Sequence, residues 1–354
     1  MRWVIAGGGT GGHLFPALAL AHRIRAQGGE VFFIGCGRRV EALVLKETSF
    51  PVATISGEGL LGRSVTAKIR AIIKLLRGVR EAADIIRKFS AEVVFGTGGY
   101  ASFPALVAGR LLGKWLGLHE QNAVAGMSNR LAGHLVHRVF VSFPEAGRYF
   151  PRKKVIHSGN PIREDLFEER SREHMGRGLL VLGGSQGARS INRLLVETAE
   201  KLFERISDLY LIHQTGEKDE AWVKEAYQKK GLPVKVYPFI RDMAWAYAQA
   251  DLVVSRAGAT TVAELCALGK PAIYIPFPYA THAHQEKNAL SVVRAGGGLM
   301  MKEGTFTPEE FVRQVVELLS DVESLRHKGE AARRLFKPGA AETIISEMEA
   351  LANA

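Results

Sequence analysis

The sequence predicts an α/β protein of two doubly wound, parallel-sheet domains, and three observations carry that expectation. A glycine-rich turn, Gly7-Gly8-Gly9-Thr10-Gly11-Gly12-His13, follows the apolar run Trp3–Ala6. A second, Gly183-Gly184-Ser185-Gln186-Gly187-Ala188-Arg189, follows Leu179–Leu182 at the matching place of the second half. Short apolar runs alternate with stretches of helical periodicity throughout, and 354 residues suffice for two domains of ordinary size. Strand, glycine turn and helix N-terminus together make an anion site: bare amides and the helix dipole favour phosphate, and glycine lets it come close. Two such units, a domain apart, suit one phosphorylated ligand faced by both halves.

In the first half, short apolar runs are expected as strands at Trp3–Ala6, Val31–Ile34, Val52–Ile55, Val93–Phe95, Trp115–Leu118 and Val139–Val141. Apolar residues at helical spacing predict helices over Pro16–Ala26, Val40–Glu47, Ser64–Gly78, Glu81–Phe89, Pro104–Leu112 and Ser128–Leu135. Strand and helix units in strict alternation imply a parallel sheet with ligands at the carboxyl ends of its strands. The pattern breaks at Ser158-Gly159-Asn160-Pro161-Ile162-Arg163, a turn-rich stretch followed by the charged run Glu164–Arg177. The inter-domain link is placed there, giving domains 1–157 and 158–337.

The second half repeats the theme. Strands are expected at Leu179–Leu182, Leu209–His213, Val234–Tyr237, Leu252–Val254 and Ala272–Ile275. Helices are expected over Ser190–Arg205, Glu220–Lys229, Arg241–Gln249, Thr261–Leu268, Gln285–Arg294 and Pro308–Leu319. A last helical segment, Ala340–Leu351 within about 338–354, is expected to pack back on the first domain.

A composition 47% apolar and 23% charged is that of a globular protein with ample core. No apolar run reaches the roughly 18–20 residues that span a bilayer. The N-terminus runs straight into a strand and a glycine turn, unlike a secretory leader. Cys36 and Cys266, far apart, fit a reducing compartment and offer no metal cluster. The net charge of +11 is uneven: Met1–His157 holds 22 Lys and Arg against 9 Asp and Glu, a net of +13, and the remainder nets −2. Nucleic acid, an anionic membrane surface or a polyphosphate substrate would each account for that asymmetry, as would charge kept for solubility alone.

The first turn parses as Gly7-x-Gly9-x-x-Gly12, the dinucleotide fingerprint, but no carboxylate closes the second strand until Glu41. The oxidoreductase reading loses its most discriminating part, and a phosphate cradle with Thr10 and His13 remains. Gly96-Thr97-Gly98-Gly99-Tyr100-Ala101-Ser102 also follows a strand, so a pyrophosphate cradled by both loops is expected, with Gly98, Gly99 and Tyr100 on it. His119-Glu120-Gln121-Asn122, just after Trp115–Leu118, either meets ligand hydroxyls or stitches a loop. Ser255-Arg256-Ala257-Gly258-Ala259-Thr260-Thr261-Val262-Ala263-Glu264 again suits phosphate, and Glu264 is placed to accept both hydroxyls of a ribose or to close a capping box with Thr261.

The segment Leu60–Lys88 is basic and apolar together. Val65, Ile69, Ile72, Leu76 and Val79 recur at helical spacing and are expected to face the core. Leu60, Leu61 and Leu75 fall off that stripe; lying among Arg63, Lys68, Arg70, Lys74, Arg77, Arg80, Arg87 and Lys88, they suit an anionic bilayer surface. His282 and His284 share a loop, but no third ligand stands at useful spacing, so no metal site is expected. There is no nucleophile-elbow or Ser-His-Asp signature.

Gly7–His13, Gly96–Tyr100, His119–Asn122, Gly159–Arg163, Gly183–Arg189 and Ser255–Glu264 stand in the order seen in the MurG family. These are bacterial N-acetylglucosaminyltransferases that convert lipid I to lipid II in peptidoglycan synthesis, and the chain resembles them over nearly its whole length. The resemblance implies the GT-B architecture, two Rossmann-like domains with a cleft between them. The acceptor and the membrane would belong to the N-terminal domain, the donor UDP-N-acetylglucosamine to the C-terminal one. Donor contacts would come from Ser185, Ile240, Ala259, Thr260, Thr261, Val262, Ala263, Glu264 and Gln285, joined by Thr10, Gly11, Gly12, Asn122 and Arg163. Ile240 would read the uracil through its backbone, Glu264 would take the ribose, and Gln285 and Asn288 the sugar; Thr281-His282-Ala283 lacks an acid often found in relatives.

The implied chemistry is an inverting, metal-independent and cofactor-free displacement, in which the 4-hydroxyl of the lipid I muramyl sugar attacks the donor's anomeric carbon. His13 is the candidate general base, since histidine ordinarily titrates near working pH. Arg163 and the helix N-termini behind Ser185 and Thr260 would carry the leaving-group charge. The implied place is the cytoplasmic face of the cell membrane, held peripherally by the 60–88 segment, with no nucleic-acid partner. A UDP-N-acetylglucosamine 2-epimerase shares the two-domain layout but leaves that basic segment without a purpose. A peripheral membrane or nucleic-acid binding protein would leave the glycine loops unexplained, and no aromatic-interleaved basic stripe is present.

Overall fold

The structure, a computed structural model, describes residues 1–38, 41, 45, 48–57, 65–184 and 187–353, with backbone alone over 65–71. Of the helix expected over 40–47 only Glu41 and Leu45 are among them; Leu60, Leu61, Arg63, Ser185 and Gln186 lie outside. Two compact units divide the chain: Met1–Arg163 with Lys337–Ala354, and Glu164–Phe336.

In the first unit, β1 (Arg2–Gly7), β2 (Glu30–Gly35), β3 (Val52–Thr54), β4 (Val93–Gly98), β5 (Trp115–Glu120), β6 (Arg138–Val141) and β7 (Val155–His157) form one sheet. Its order is β3-β2-β1-β4-β5-β6-β7, and every neighbouring pair is parallel. Strands covered on both faces need continuous apolar runs, which is what these residues supply. Val4, Ala6, Val94, Leu116 and Val139 pack on one face, with Ala82 and Ile86 of α2 (Val65–Lys88) and Ala105 and Leu106 of α3 (Ser102–Leu111). Trp3, Ile5, Phe33, Phe95 and Phe140 pack on the other, against Leu14, Leu18 and Ile24 of α1 (Gly11–Ala26). The short helix α4 (Met127–Leu135) follows β5.

The second unit holds β8 (Arg177–Leu182), β9 (Leu209–Gln214), β10 (Lys235–Tyr237), β11 (Leu252–Ser255), β12 (Ala272–Tyr274) and β13 (Gly298–Met300), ordered β10-β9-β8-β11-β12-β13 and all parallel. Its helices are α5 (Arg189–Arg205), α6 (Glu220–Lys229), α7 (Met243–Ala248), α8 (Ala259–Leu268), α9 (His284–Arg294), α10 (Pro308–Ser320) and α11 (Val322–Arg333). The final helix, α12 (Ala340–Ala352), belongs to the first unit. Ile344, Ile345 and Met348 join the Trp3–Phe95 core face, and Arg23–Glu342 and Arg138–Glu347 ion pairs flank it at 2.8 and 3.3 Å. Burying three such side chains contributes about 1.5–3 kcal/mol each, far more than the exposed ion pairs.

In both sheets the strand order reverses beside the first strand, between β1 and β4 and between β8 and β11. Ligands of doubly wound sheets bind outside the carboxyl ends of strands at such a switch point. The four loops that leave those strands are the glycine- and hydroxyl-rich loops of the sequence.

Four expectations are corrected. The helices over 64–78 and 81–89 are one helix, α2. Gly78 does not break it: a Cβ there would lie 2.1 Å from the Ser56 carbonyl, so the glycine marks a close contact inside the helix. That contact turns Gly78 and Ala82 inward, and the core stripe rotates with them. Ile72 and Leu76, expected in the core, are 49% and 66% exposed, whereas Leu75 is half-buried. Strands β7 and β13 and helix α11 were not anticipated, the strands because they are three-residue edges beside Lys153-Lys154 and Gly296-Gly297. The change of unit falls after Arg163, not His157, because Ser158–Asn160 are buried in the first unit and the Gly159 amide donates to the Val141 carbonyl at 3.3 Å.

Candidate functional site

The carboxyl ends of β1 and β4 and the loops that leave them press together. A Cβ on Gly7 would sit 1.9 Å from Thr97 Oγ1, and one on Gly99 would sit 2.3 Å from the Gly8 carbonyl. Gly98, at φ +100°, leaves room for the His13 ring, whose Cε1 and Nδ1 would each lie 2.9 Å from an added Cβ. Glycine is therefore required for contact as well as for turn geometry. Helix α1 opens behind this pair on Thr10, with no side-chain cap and no acid in its first turn. Helices α5 and α8 open in the same bare way on Ala188 and Gly258. Helix α10 carries a full capping box instead, Thr307 with Glu310. The helices α3 and α4 also open without a side-chain cap or an acid in the first turn.

His13 is the third residue of α1, and its Nδ1 lies 3.0 Å from Gln121 Oε1. Its ring caps no helix end. Gln121 Nε2 donates to the Thr97 carbonyl at 2.8 Å and approaches His119 Nδ1 at 3.0 Å. His119 Nε2 lies 3.0 Å from the Gly159 carbonyl. Burial holds the His119 imidazole near a pKa of about 4, so it is neutral at physiological pH. The polar cluster after β5 therefore reaches back to the first glycine loop.

Two carboxylates in this unit are occupied internally. Glu41, 3% exposed, accepts from the Gly9 amide at 2.6 Å and from Cys36, Gly37 and Arg38 amides at 2.9, 2.8 and 3.3 Å. All four partners are backbone amides of the loops after β1 and β2. Glu120 accepts from the Asn122 amide and side chain at 3.0 and 3.2 Å and from Gly126 and Asn129 at 3.1 and 2.8 Å. Glu120 is the stitch of that loop, and Asn122 is held by it, half-buried. Tyr100 is exposed, with the Arg38 guanidinium 5.6 Å above its ring. The Arg163 guanidinium lies 5.7 Å over the Phe15 ring, two residues beyond His13. Nearby Asn160 is 4% exposed, with neither amide atom hydrogen-bonded.

In the second unit Glu264 is 7% exposed and accepts from the Tyr247 hydroxyl at 2.8 Å. The capping-box alternative fails, because α8 begins at Ala259 on Gly258 and Thr261 already lies inside it. Ala259, Thr260 and Thr261 form the first turn; Ala259 and Thr260 are buried, as is Val262, whose amide closes on the Gly258 carbonyl at 2.9 Å. Ala263 follows within the helix body. The Ile240 amide donates to Gln214 Oε1 at 3.0 Å. Gln285, half-buried, accepts from the Phe277 amide at 2.9 Å, and buried Asn288 donates to the Ala257 carbonyl at 3.1 Å. The loop before Gln285 holds His282 and Ala283 at φ +53° and +50°, uncommon values for residues with a Cβ. Among the described residues no three His, Cys, Asp or Glu are grouped to hold a metal ion, and His284 Nδ1 bonds the Thr281 carbonyl at 2.8 Å.

The first unit thus brings together Thr10, Gly11, Gly12, His13, Gly98, Gly99 and Tyr100 along its switch point, with Gln121 tying in the β5 loop. The second brings together Ala259–Glu264 on α8. Gln121, Glu41, Tyr247 and Asn160 were missed as individual residues. Only Gln121 and Asn160 carried a signal, standing inside motifs already noted.

Comparison with known proteins adds the following. Residues 3–141 match the glycosyltransferase family 28 N-terminal domain, and residues 178–344 the glycosyltransferase family 28 C-terminal domain. The UDP-N-acetylglucosamine--N-acetylmuramyl-(pentapeptide) pyrophosphoryl-undecaprenol N-acetylglucosamine transferase of Citrifermentans bemidjiense is 43% identical, over 98% of this chain and 99% of its own. The crystal structure of Acinetobacter baumannii MurG superposes with a TM-score of 0.77 at 29% identity, over 98% of each chain. A putative UDP-N-acetylglucosamine 2-epimerase from Listeria monocytogenes reaches 0.73 at 14% identity, over 98% of this chain and 95% of its own, a likeness of fold alone.

Proposed function

The chain belongs to glycosyltransferase family 28, and from that premise we propose that it transfers N-acetylglucosamine from UDP-N-acetylglucosamine to the muramyl sugar of the lipid-linked pentapeptide acceptor, forming lipid II. The observation that carries this is the 43% identity, over nearly both whole chains, to a transferase whose name specifies donor and acceptor.

The residue roles in this proposal come from the family resemblance. The second unit takes the donor: the first turn of α8 and the N-terminus of α5 receive the diphosphate, Glu264 accepts the ribose hydroxyls, and Gln285 meets the sugar. Tyr247 donates to one Glu264 oxygen at 2.8 Å and so aims the carboxylate. With its amide engaged by Gln214, Ile240 offers its carbonyl to the uracil edge. The first unit takes the acceptor, its diphosphate lying against Gly98, Gly99 and Tyr100. Thr10, Gly11, Gly12, Asn122 and Arg163 are the donor contacts proposed from this unit.

His13 accepts the proton of the muramyl 4-hydroxyl as that oxygen attacks the anomeric carbon and the bond to UDP breaks. The new linkage is β-1,4, and Arg163 with the bare helix ends stabilises the departing diphosphate. The exposed Ile72, Ile73 and Leu76, interspersed with Lys74, Arg77 and Arg80, suit peripheral attachment to an anionic bilayer. Among the described residues no helix is long and apolar enough to cross a membrane.

The test is transfer of label from UDP-N-acetylglucosamine to a lipid I analogue, run with and without chelator and beside a donor-only arm. Label on the acceptor supports the proposal; conversion of the donor to its 2-epimer without acceptor supports the epimerase.

A further inference from the structure

Gln121 is 1% exposed, so each of its polar atoms needs a partner. Its Nε2 lies 2.8 Å from the Thr97 carbonyl, which can only accept. That contact fixes which way the amide points, because a flipped amide would set two carbonyl oxygens against each other. Oε1 is thereby the atom facing His13 Nδ1 at 3.0 Å, and Oε1 also can only accept. The hydrogen between them sits on His13 Nδ1.

The other side of Gln121 agrees. Its second Nε2 hydrogen faces His119 Nδ1 at 3.0 Å and the His119 carbonyl at 3.3 Å, and Nδ1 is the lone-pair nitrogen once the ring's proton is on Nε2. His119 carries its proton on Nε2, where the Gly159 carbonyl accepts it at 3.0 Å. Burial keeps that ring neutral, so it has one proton and one arrangement. The Thr97 carbonyl, the Gln121 amide, the His119 ring and the Gly159 carbonyl are satisfied together in a single pattern of donors.

We propose that Gln121 is a positioning residue that fixes His13 as the Nδ1–H tautomer, leaving Nε2 as the lone-pair nitrogen that takes the acceptor proton. The inference rests on the His13 base assignment for its catalytic meaning, but not for the tautomer itself. Gly98 leaves the His13 ring its place, since an added Cβ would come 2.9 Å from both Nδ1 and Cε1. In a neutral imidazole only one nitrogen can act as a base, and the partner of the other nitrogen decides which.

The experiment is long-range proton–nitrogen NMR on the full chain labelled with 15N-histidine, the His13 signals assigned by their loss in His13→Ala. A protonated Nδ1 with a lone-pair Nε2 is expected in the wild type. Gln121→Met, of similar length but without an acceptor, is expected to move His13 toward the Nε2–H form that free imidazole prefers. Its kcat should fall by roughly 10²-fold with the donor KM little changed. An Nε2–H pattern in the wild type overturns the inference, whatever the variant does or whether it folds. An unchanged His13 pattern in folded Gln121→Met overturns it equally. If His13→Ala turns over normally, the base assignment falls while the wild-type spectrum still decides the tautomer.

Discussion

Gly98 faces the Nδ1–Cε1 edge of the His13 imidazole, close enough that a single added methyl would come 2.9 Å from both atoms. Gly98→Ala therefore does two things: it strains a backbone at φ +100° and it displaces the ring. The expected cost is about 1–2 kcal/mol of stability together with a roughly 10²-fold loss of kcat. Gly113→Ala separates the two effects, because Gly113 has φ +65° but nothing within 4 Å of the added Cβ. It should lose stability alone. Thermal melts and turnover on both variants check this.

The Tyr247 hydroxyl holds Glu264 Oε2 at 2.8 Å, deep in the second unit. Tyr247→Phe keeps the ring and removes the hydrogen bond, so the carboxylate loses its aim and not its charge. The donor KM should rise roughly tenfold with kcat nearly kept, as for losing one hydrogen bond to a charged group. Glu264→Gln should act in the same direction and more strongly. Titration calorimetry with UDP, which lacks the acceptor and the sugar, tests the ribose assignment alone.

Ile73 and Leu76 are 61% and 66% exposed on α2 beside Lys74, Arg77 and Arg80. Ile73→Ser with Leu76→Ser should leave the melting temperature nearly unchanged, since neither side chain packs in the core. Binding to vesicles containing anionic lipid should fall by about tenfold or more, from lost apolar burial at the interface. Retained binding would place the contact on another surface.

His119 and His213 are both fully buried and neutral, their pKa values held near about 4 and about 3 by desolvation. In the unfolded chain each titrates near 6.5, so between those values the unfolded state binds the extra proton. Stability is whole above pH 6.5 and falls as the pH drops toward 4, by roughly 1–3 kcal/mol per histidine. His119→Gln should flatten the first unit's share of that slope. Denaturant unfolding at pH 7 and pH 5 measures it.

The alternation of strands and helices was legible because strands covered on both faces must be continuous apolar runs, as Trp3–Ala6 and Leu179–Leu182 are. The switch-point loops were legible because close contact demands glycine, as at Gly7 against the Thr97 side chain and Gly99 against the Gly8 carbonyl. The orientation of α2 was not: its sequence offers two apolar faces, and the inward one is set by contacts made on folding, Gly78 and Glu81 against Ser56, and Ala82 and Ile86 in the core. Edge strands β7 and β13 are too short for periodicity to show. Within the site, His13 and Glu264 were visible as chemistry-bearing residues beside motifs. Their supports, Gln121 at a separation of 108 residues and Tyr247 at 17, become partners only through the sheet order.

The most direct measurement is the structure of the product formed from UDP-N-acetylglucosamine and a soluble lipid I analogue, determined by NMR of the released disaccharide. A β-linked N-acetylglucosamine on the 4-oxygen of the muramyl residue, with its large H1–H2 coupling, is the predicted result. An α-linked product, or an epimerised donor with the acceptor untouched, would contradict the account.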